Sequence, residues 1–144
     1  MANEFAPNLQ DASLNPATFT LPSAASTSTT SAVIDLGADT AKLANVEIEL
    51  AVPALTTTIN PGTSTAGVTY VVETSDTDVF TAIRSIIRSQ NFAGDTTTAL
   101  VAKTIRAAIP SNCERYVRGK VTLGTTTADA SALAATVTVR FGKN

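Results

Sequence analysis

Alternation with a period of two is the feature that most constrains what this chain can fold into. From Ala44 to Val52, the residues Val46, Ile48, Leu50 and Val52 fall on one side of an extended backbone, and Asn45, Glu47, Glu49 and Ala51 fall on the other. The pattern returns at Val117, Gly119, Val121 and Leu123, which alternate with Arg118, Lys120 and Thr122. It returns again at Leu133, Ala135, Val137, Val139 and Phe141, which alternate with Thr136, Thr138 and Arg140. A shorter run, Val68–Thr74, is ambiguous because Val71 and Val72 are adjacent. Shifting any such strand by one residue would turn its whole apolar set to solvent, so register is strongly specified. Val46, Ile48, Leu50, Val121, Val137 and Val139 are therefore expected in the core.

Composition supports the same reading. The chain holds 25 Thr and 24 Ala among 144 residues, and branched Thr fits a pleated surface. Turn-forming clusters separate the strands, among them Asn60-Pro61-Gly62, Ser75-Asp76-Thr77-Asp78, Asn91-Phe92-Ala93-Gly94-Asp95 and Gly124-Thr125-Thr126-Thr127. The expectation is an all-β chain: a jelly-roll-like antiparallel β-sandwich over residues 31–144, with an extended N-terminal arm over residues 1–30. The length suits one packed core. The arm carries Pro7, Pro16 and Pro22 and isolated apolar side chains at Phe5, Leu9, Leu14, Phe19 and Leu21. Those five are candidates for contact with a neighbouring subunit; a loosely ordered tail is the alternative. One segment fits two periods. Val79, Ile83, Ile86 and Ile87 have helical spacing behind Asp78 as an N-cap, but β-branched residues dominate. Strands are favoured there, with Phe80–Ile83 closing one hairpin arm and Ile86–Asn91 opening the next; Ala99–Ile109 is a further expected strand.

The missing residue types narrow the chemistry. There is no His and no Trp, one Cys, and seven aromatic residues in all. Ser-His-Asp and Cys-His catalysis, His-ligated metals, zinc clusters and internal disulfides are excluded, and an aromatic platform for bases is unexpected. No catalytic residue, metal or cofactor is expected, and the chain is read as a non-enzyme. No apolar run is long enough for a membrane helix, and the N-terminus does not read as a signal peptide, so neither a membrane partner nor export is expected. Glu47 and Glu49 would emerge on one strand face about 7 Å apart, a glycosidase-like distance, yet solubility alone explains them. Asp76-Thr77-Asp78 lacks the further ligands of a calcium site and reads as a turn. Cys113, with no His to activate it, reads as a small packing residue.

Charge is uneven along the chain. Residues 1–78 carry nine acids and one base (Lys42), whereas residues 79–144 carry nine bases and three acids. Either acidic and basic strands neutralise each other inside one sandwich, or the basic half meets an acidic partner. Arg115, Tyr116 and Arg118 form the most basic stretch with Lys120. With one interleaved aromatic they suit contact with acidic residues of a neighbouring strand or subunit better than specific nucleic-acid binding, and they are candidate inter-subunit contacts.

The order of segments resembles a known family. Val68-Thr69-Tyr70-Val71-Val72-Glu73-Thr74-Ser75-Asp76 is followed by Phe80-Thr81-Ala82-Ile83. Ala107-Ala108-Ile109-Pro110 then leads into Arg115-Tyr116-Val117-Arg118, a Gly-containing turn and the closing strand Ala134–Phe141. Over residues 44–142 this resembles the small capsid cement (decoration) proteins of tailed bacteriophages, of the Bordetella phage cement-protein kind. The resemblance implies a jelly-roll-like sandwich made in the bacterial host cytoplasm and carried on the virion, on the capsid exterior. It implies a homo-oligomer, a dimer before a trimer, whose partner is the phage major capsid protein. It carries no catalytic, metal or cofactor residue. The alternative is a receptor- or carbohydrate-binding sandwich on a phage tail or fibre; a nucleic-acid-binding coat subunit is a third reading.

Overall fold

The alternating segments all become strands. The computed structural model describes residues 16–37, 46–60, 67–95, 97–125 and 127–141. Among these, the strands are β1 Ala17–Thr20, β2 Ser28–Thr30, β3 Ile34–Asp35, β4 Val46–Val52, β5 Val68–Ser75, β6 Ser85–Phe92, β7 Lys103–Ala108, β8 Tyr116–Leu123 and β9 Ala134–Phe141. One sheet runs β1-β9-β4-β7 and the other β2-β8-β5-β6, with β3 following β2 along the same edge of β8. Every pairing is antiparallel. Counting β2 and β3 as one interrupted strand leaves eight in the orders 1-8-3-6 and 2-7-4-5. First then pairs with last, second with seventh, third with sixth and fourth with fifth. This is a long hairpin rolled into two facing sheets, the jelly roll.

The inward rows meet between the sheets. Ile48 stands opposite Val139 and Leu50 opposite Val137 in one sheet, and Tyr70 stands opposite Val121 in the other. The six residues expected in the core are all buried, as are Val52, Val68, Val72, Val117, Leu123 and Ala135. Each fully buried Val, Leu or Ile side chain contributes about 1.5–3 kcal/mol relative to exposure. Gly119 lies where the facing sheet leaves no room for a side chain: a Cβ there would stand 2.5 Å from Val137 Cγ2 and 3.0 Å from Phe19 Cε1. Gly67, at the entry to β5, has φ +46° and would place a Cβ 1.9 Å from the Phe92 carbonyl oxygen.

Three expectations are corrected. Residues 17–30 are not an arm, and the boundary at 30/31 falls inside the sandwich. Ala17–Thr20 pairs with Ala134–Val137 of β9, and Ser28–Thr30 pairs with β8. Phe19 and Leu21 are buried in the chain's own core, so they are not free for a neighbouring subunit. Strand β1 is four residues long, too short for a visible period, and Pro16 and Pro22 flank it rather than interrupt it. Phe5, Leu9 and Leu14 lie outside the described residues. Second, Phe80–Ile83 is not a strand. It belongs to the loop between β5 and β6, where Phe80 adopts φ 51°. Third, Glu49 points outward from β4 but is buried.

Candidate interaction surface

The acidic first half and basic second half of the sequence meet face to face. Five ion pairs join described residues, and each takes its acid from residues 1–78 and its base from residues 79–144. On the outer face of the first sheet, Glu49 of β4 accepts from Arg106 of β7 at 2.9 and 3.0 Å and pairs with Arg140 of β9. Glu47 on the same face is exposed. The two carboxylates are thus unlike: one is covered by two guanidinium groups and the other faces solvent. A glycosidase needs two carboxyl groups open to one substrate, and this arrangement does not provide them.

On the outer face of the second sheet, Arg118 stands directly opposite Glu73 and donates from Nε to Oε1 at 2.6 Å. Glu73 is only 2% exposed. The Phe80 ring covers one face of this guanidinium, its centroid 4.1 Å from the guanidinium carbon, while Glu73 accepts at the guanidinium edge. Arg115 clasps Asp35 with two hydrogen bonds at 2.8 and 2.7 Å, and its guanidinium also lies over the Tyr116 ring. That pairing holds the Asp35 carboxyl below its ordinary value. The structure therefore gathers Arg115, Tyr116 and Arg118 on β8 and its approach, with both arginines engaged inside the chain. They do not form an open cationic groove. Lys120 makes no ion pair with a described residue.

Cys113 is buried, and burial together with the neighbouring Glu114 pushes its thiol up to about 11. No group of three or more metal-ligating side chains occurs among the described residues. A shallow recess of about 320 Å³ lies near the junction of β6 and β7, lined by Leu55, Asn60, Asp95, Thr98, Leu100 and Lys103. Asn60 staples its wall: Nδ2 donates to the Phe92 and Ala93 carbonyls at 3.1 and 3.3 Å, while Oδ1 is buried without a partner among the described residues.

Several large apolar side chains are exposed, and alternation does not mark them. Val79 and Ile83 on the β5–β6 loop, Ile86 on β6 and Val101 before β7 are each at least 48% exposed. Their signal was present in the sequence as helical spacing at Val79, Ile83 and Ile86. That spacing comes from a loop running into a strand opposite an irregularity at Val72/Glu73, not from a helix. No family model, curated protein or solved structure matches the chain.

Proposed function

We propose that this chain is a structural cement protein of a tailed-phage capsid, binding the outside of the icosahedral shell and bridging major capsid protein subunits. The observation that carries the reading is a jelly roll in which all five arginine–carboxylate pairs among the described residues lie within the chain, beside an outward row of small residues on the first sheet. Across the first sheet, Thr18, Thr136, Ala51 and Thr104 form one outward row through all four strands. Such a face can lie flat on a protein surface and hydrogen-bond to it. Jelly rolls recur in viral shells, although they also serve as lectins, so fold supports the reading without deciding it. Shell attachment needs little affinity per copy, because repetition across a lattice raises the effective concentration of every neighbour. The reading requires no catalysis and no cofactor.

Purified virus-like shells carry the test. The reading expects the chain to co-purify at a fixed copy number per shell and to rebind stripped shells added in solution. Its absence from shells made in the same cell would overturn the reading. The recess beside Asp95, Thr98 and Lys103 favours the second reading, a carbohydrate-binding tail module. Reproducible hits on a glycan array, lost in Asp95→Ala, would favour that instead.

A further inference from the structure

We propose that the open side of the sandwich takes up an extended acidic segment of another protein, which adds to β7 as a further strand of the β1-β9-β4-β7 sheet. Strand β7 pairs with β4 on one side, and no described strand lies on its other side. The Ile109 amide donates to the Val46 carbonyl in the β4–β7 register, which puts the odd-numbered residues of β7 in its hydrogen-bonded pairs. The amides and carbonyls of Thr104, Arg106 and Ala108 therefore turn away from β4, and all three residues are exposed. Such a row of backbone donors and acceptors is a template for strand addition.

Charge sets the chemistry of that segment. The strands bordering the open side, β6 and β7, carry Arg88, Lys103 and Arg106 and no acid. Arg88 stands opposite the fully buried Val72, so it leaves β6 on the inner face, yet it is exposed. Lys103 likewise stands opposite buried Val52, and its ammonium lies over the Phe92 ring at 5.6 Å, which ties β7 to β6. Neither has a carboxylate partner among the described residues; Arg88 donates to Gln90 Oε1 at 3.0 Å. On the outer face Arg106 shares the Glu49 carboxylate with Arg140. Asp95, which lines the recess with Lys103, accepts with Oδ1 from the Thr97 and Thr98 amides. Glu47, exposed one strand further in, stands opposite Ala108 and Arg140. An acidic strand supplies the charge this edge lacks, and a basic one would meet like charge.

The floor of the open side is apolar. Phe92, Leu100, Ile105 and Ile109 pack against the core but are only partly buried. A strand laid along β7 would cover them with alternate side chains. The edge is also held in shape before a segment arrives. Leu55 and Leu100 exchange two backbone hydrogen bonds of 2.9 Å at the approach to β7, and Asn60 donates to the Phe92 and Ala93 carbonyls beside it. A preformed edge lowers the ordering cost of association. Two β7 edges from two copies would bring only bases together, so like charge disfavours the chain itself as the occupant.

Fluorescence anisotropy on the full chain tests the edge, with a labelled peptide of about ten residues alternating Glu and Val as the probe and thermal melting as the folding control. Saturable binding is expected, whereas the Lys/Val counterpart and a fully N-methylated Glu/Val peptide should not bind. Thr104→Pro removes one outward amide and leaves the bonds to β4, so it is expected to weaken binding by about tenfold without lowering the melting temperature. Lys103→Glu and Arg88→Glu are each expected to weaken it by about threefold or more. If Thr104→Pro melts early, the N-methylated peptide decides. Equal binding of the acidic and basic peptides, or of the methylated and unmodified ones, would overturn the proposal, as would no saturation up to the peptide's solubility limit. A dimer of the chain that Thr104→Pro dissociates and the peptide does not displace would give the edge to a second copy and overturn it too. The edge stands apart from the shell-binding reading: a chain that binds shells but not the peptide would refute only the edge.

Discussion

Tyr70 carries a hydroxyl into the core where no described residue receives it. The residue is fully buried, its OH has no hydrogen-bond partner among the described residues, and its ring meets Phe92 edge-on at 5.9 Å between centroids. Burial also pushes the phenol well above its ordinary value of 10. A buried unsatisfied hydroxyl costs about 1–3 kcal/mol, so Tyr70→Phe should raise stability by about 1 kcal/mol in urea unfolding. A clear loss would mean that the hydroxyl has a partner. Gly119 makes the opposite case. Its missing Cβ leaves room for Val137 and Phe19, and Val137 is fully buried and cannot retreat. Gly119→Ala should therefore destabilise by about 1–3 kcal/mol, read from the same unfolding curves. Cys113, with its thiol pushed up to about 11, should resist a disulfide reagent at pH 8 in the folded protein and react once denaturant is added.

At the scale of elements, β1 shows how little sequence a structural strand needs. Its four residues pair with β9, the Leu21 amide donates to the Leu133 carbonyl at 2.9 Å, and Phe19 and Leu21 are buried. Two such side chains contribute about 3–6 kcal/mol against a typical total of about 5–15 kcal/mol. Deleting residues 1–22 should thus cost several kcal/mol more than deleting residues 1–15. Two truncations that melted together would show that β1 is dispensable. The β5–β6 loop teaches a related point. Its apolar spacing mimicked a helix, but Phe80 takes a left-handed φ that no helix contains. Its burial over Arg118 is what holds it there.

Over the whole molecule, the charge split along the sequence and the topology are one fact. A rolled hairpin pairs early strands with late ones, so acids gathered early and bases gathered late become cross-strand neighbours: β4 with β7 and β9, β5 with β8, β3 with β8. This has a consequence in acid. The Asp35 and Asp76 carboxyls are held below their ordinary value of 3.8 chiefly by hydrogen bonds from Arg115 and Arg84. Those of Asp95 and Asp129 are lowered chiefly by backbone amides of Thr97 and Ser131. For each, the folded value lies below the unfolded one. The stabilisation is therefore present above 3.8 and is lost as pH falls through the lower folded values. Melting temperature should hold from pH 7 to about 5 and decline below about pH 4. A flat profile down to pH 2 would contradict these pairings.

The sequence by itself determined the strands with three or more alternations. β4, β8 and β9, with the core residues Ile48, Leu50, Val121 and Val137, were legible because period two admits one buried face. The absence of His likewise bounded the chemistry before any fold was known. Of the eight candidate contacts, Arg115, Tyr116 and Arg118 stood out as the most basic stretch, but the arginines' partners within the chain, Asp35, Glu73 and Phe80, lie 38 to 80 positions away and leave no local mark. Only the tertiary structure decided that Phe19 and Leu21 are core, that Glu49 is covered, and that β6 ends its sheet. Each of these depends on which strands lie side by side. That is set by how the rolled hairpin closes across more than a hundred residues, as when Thr18 meets Thr136.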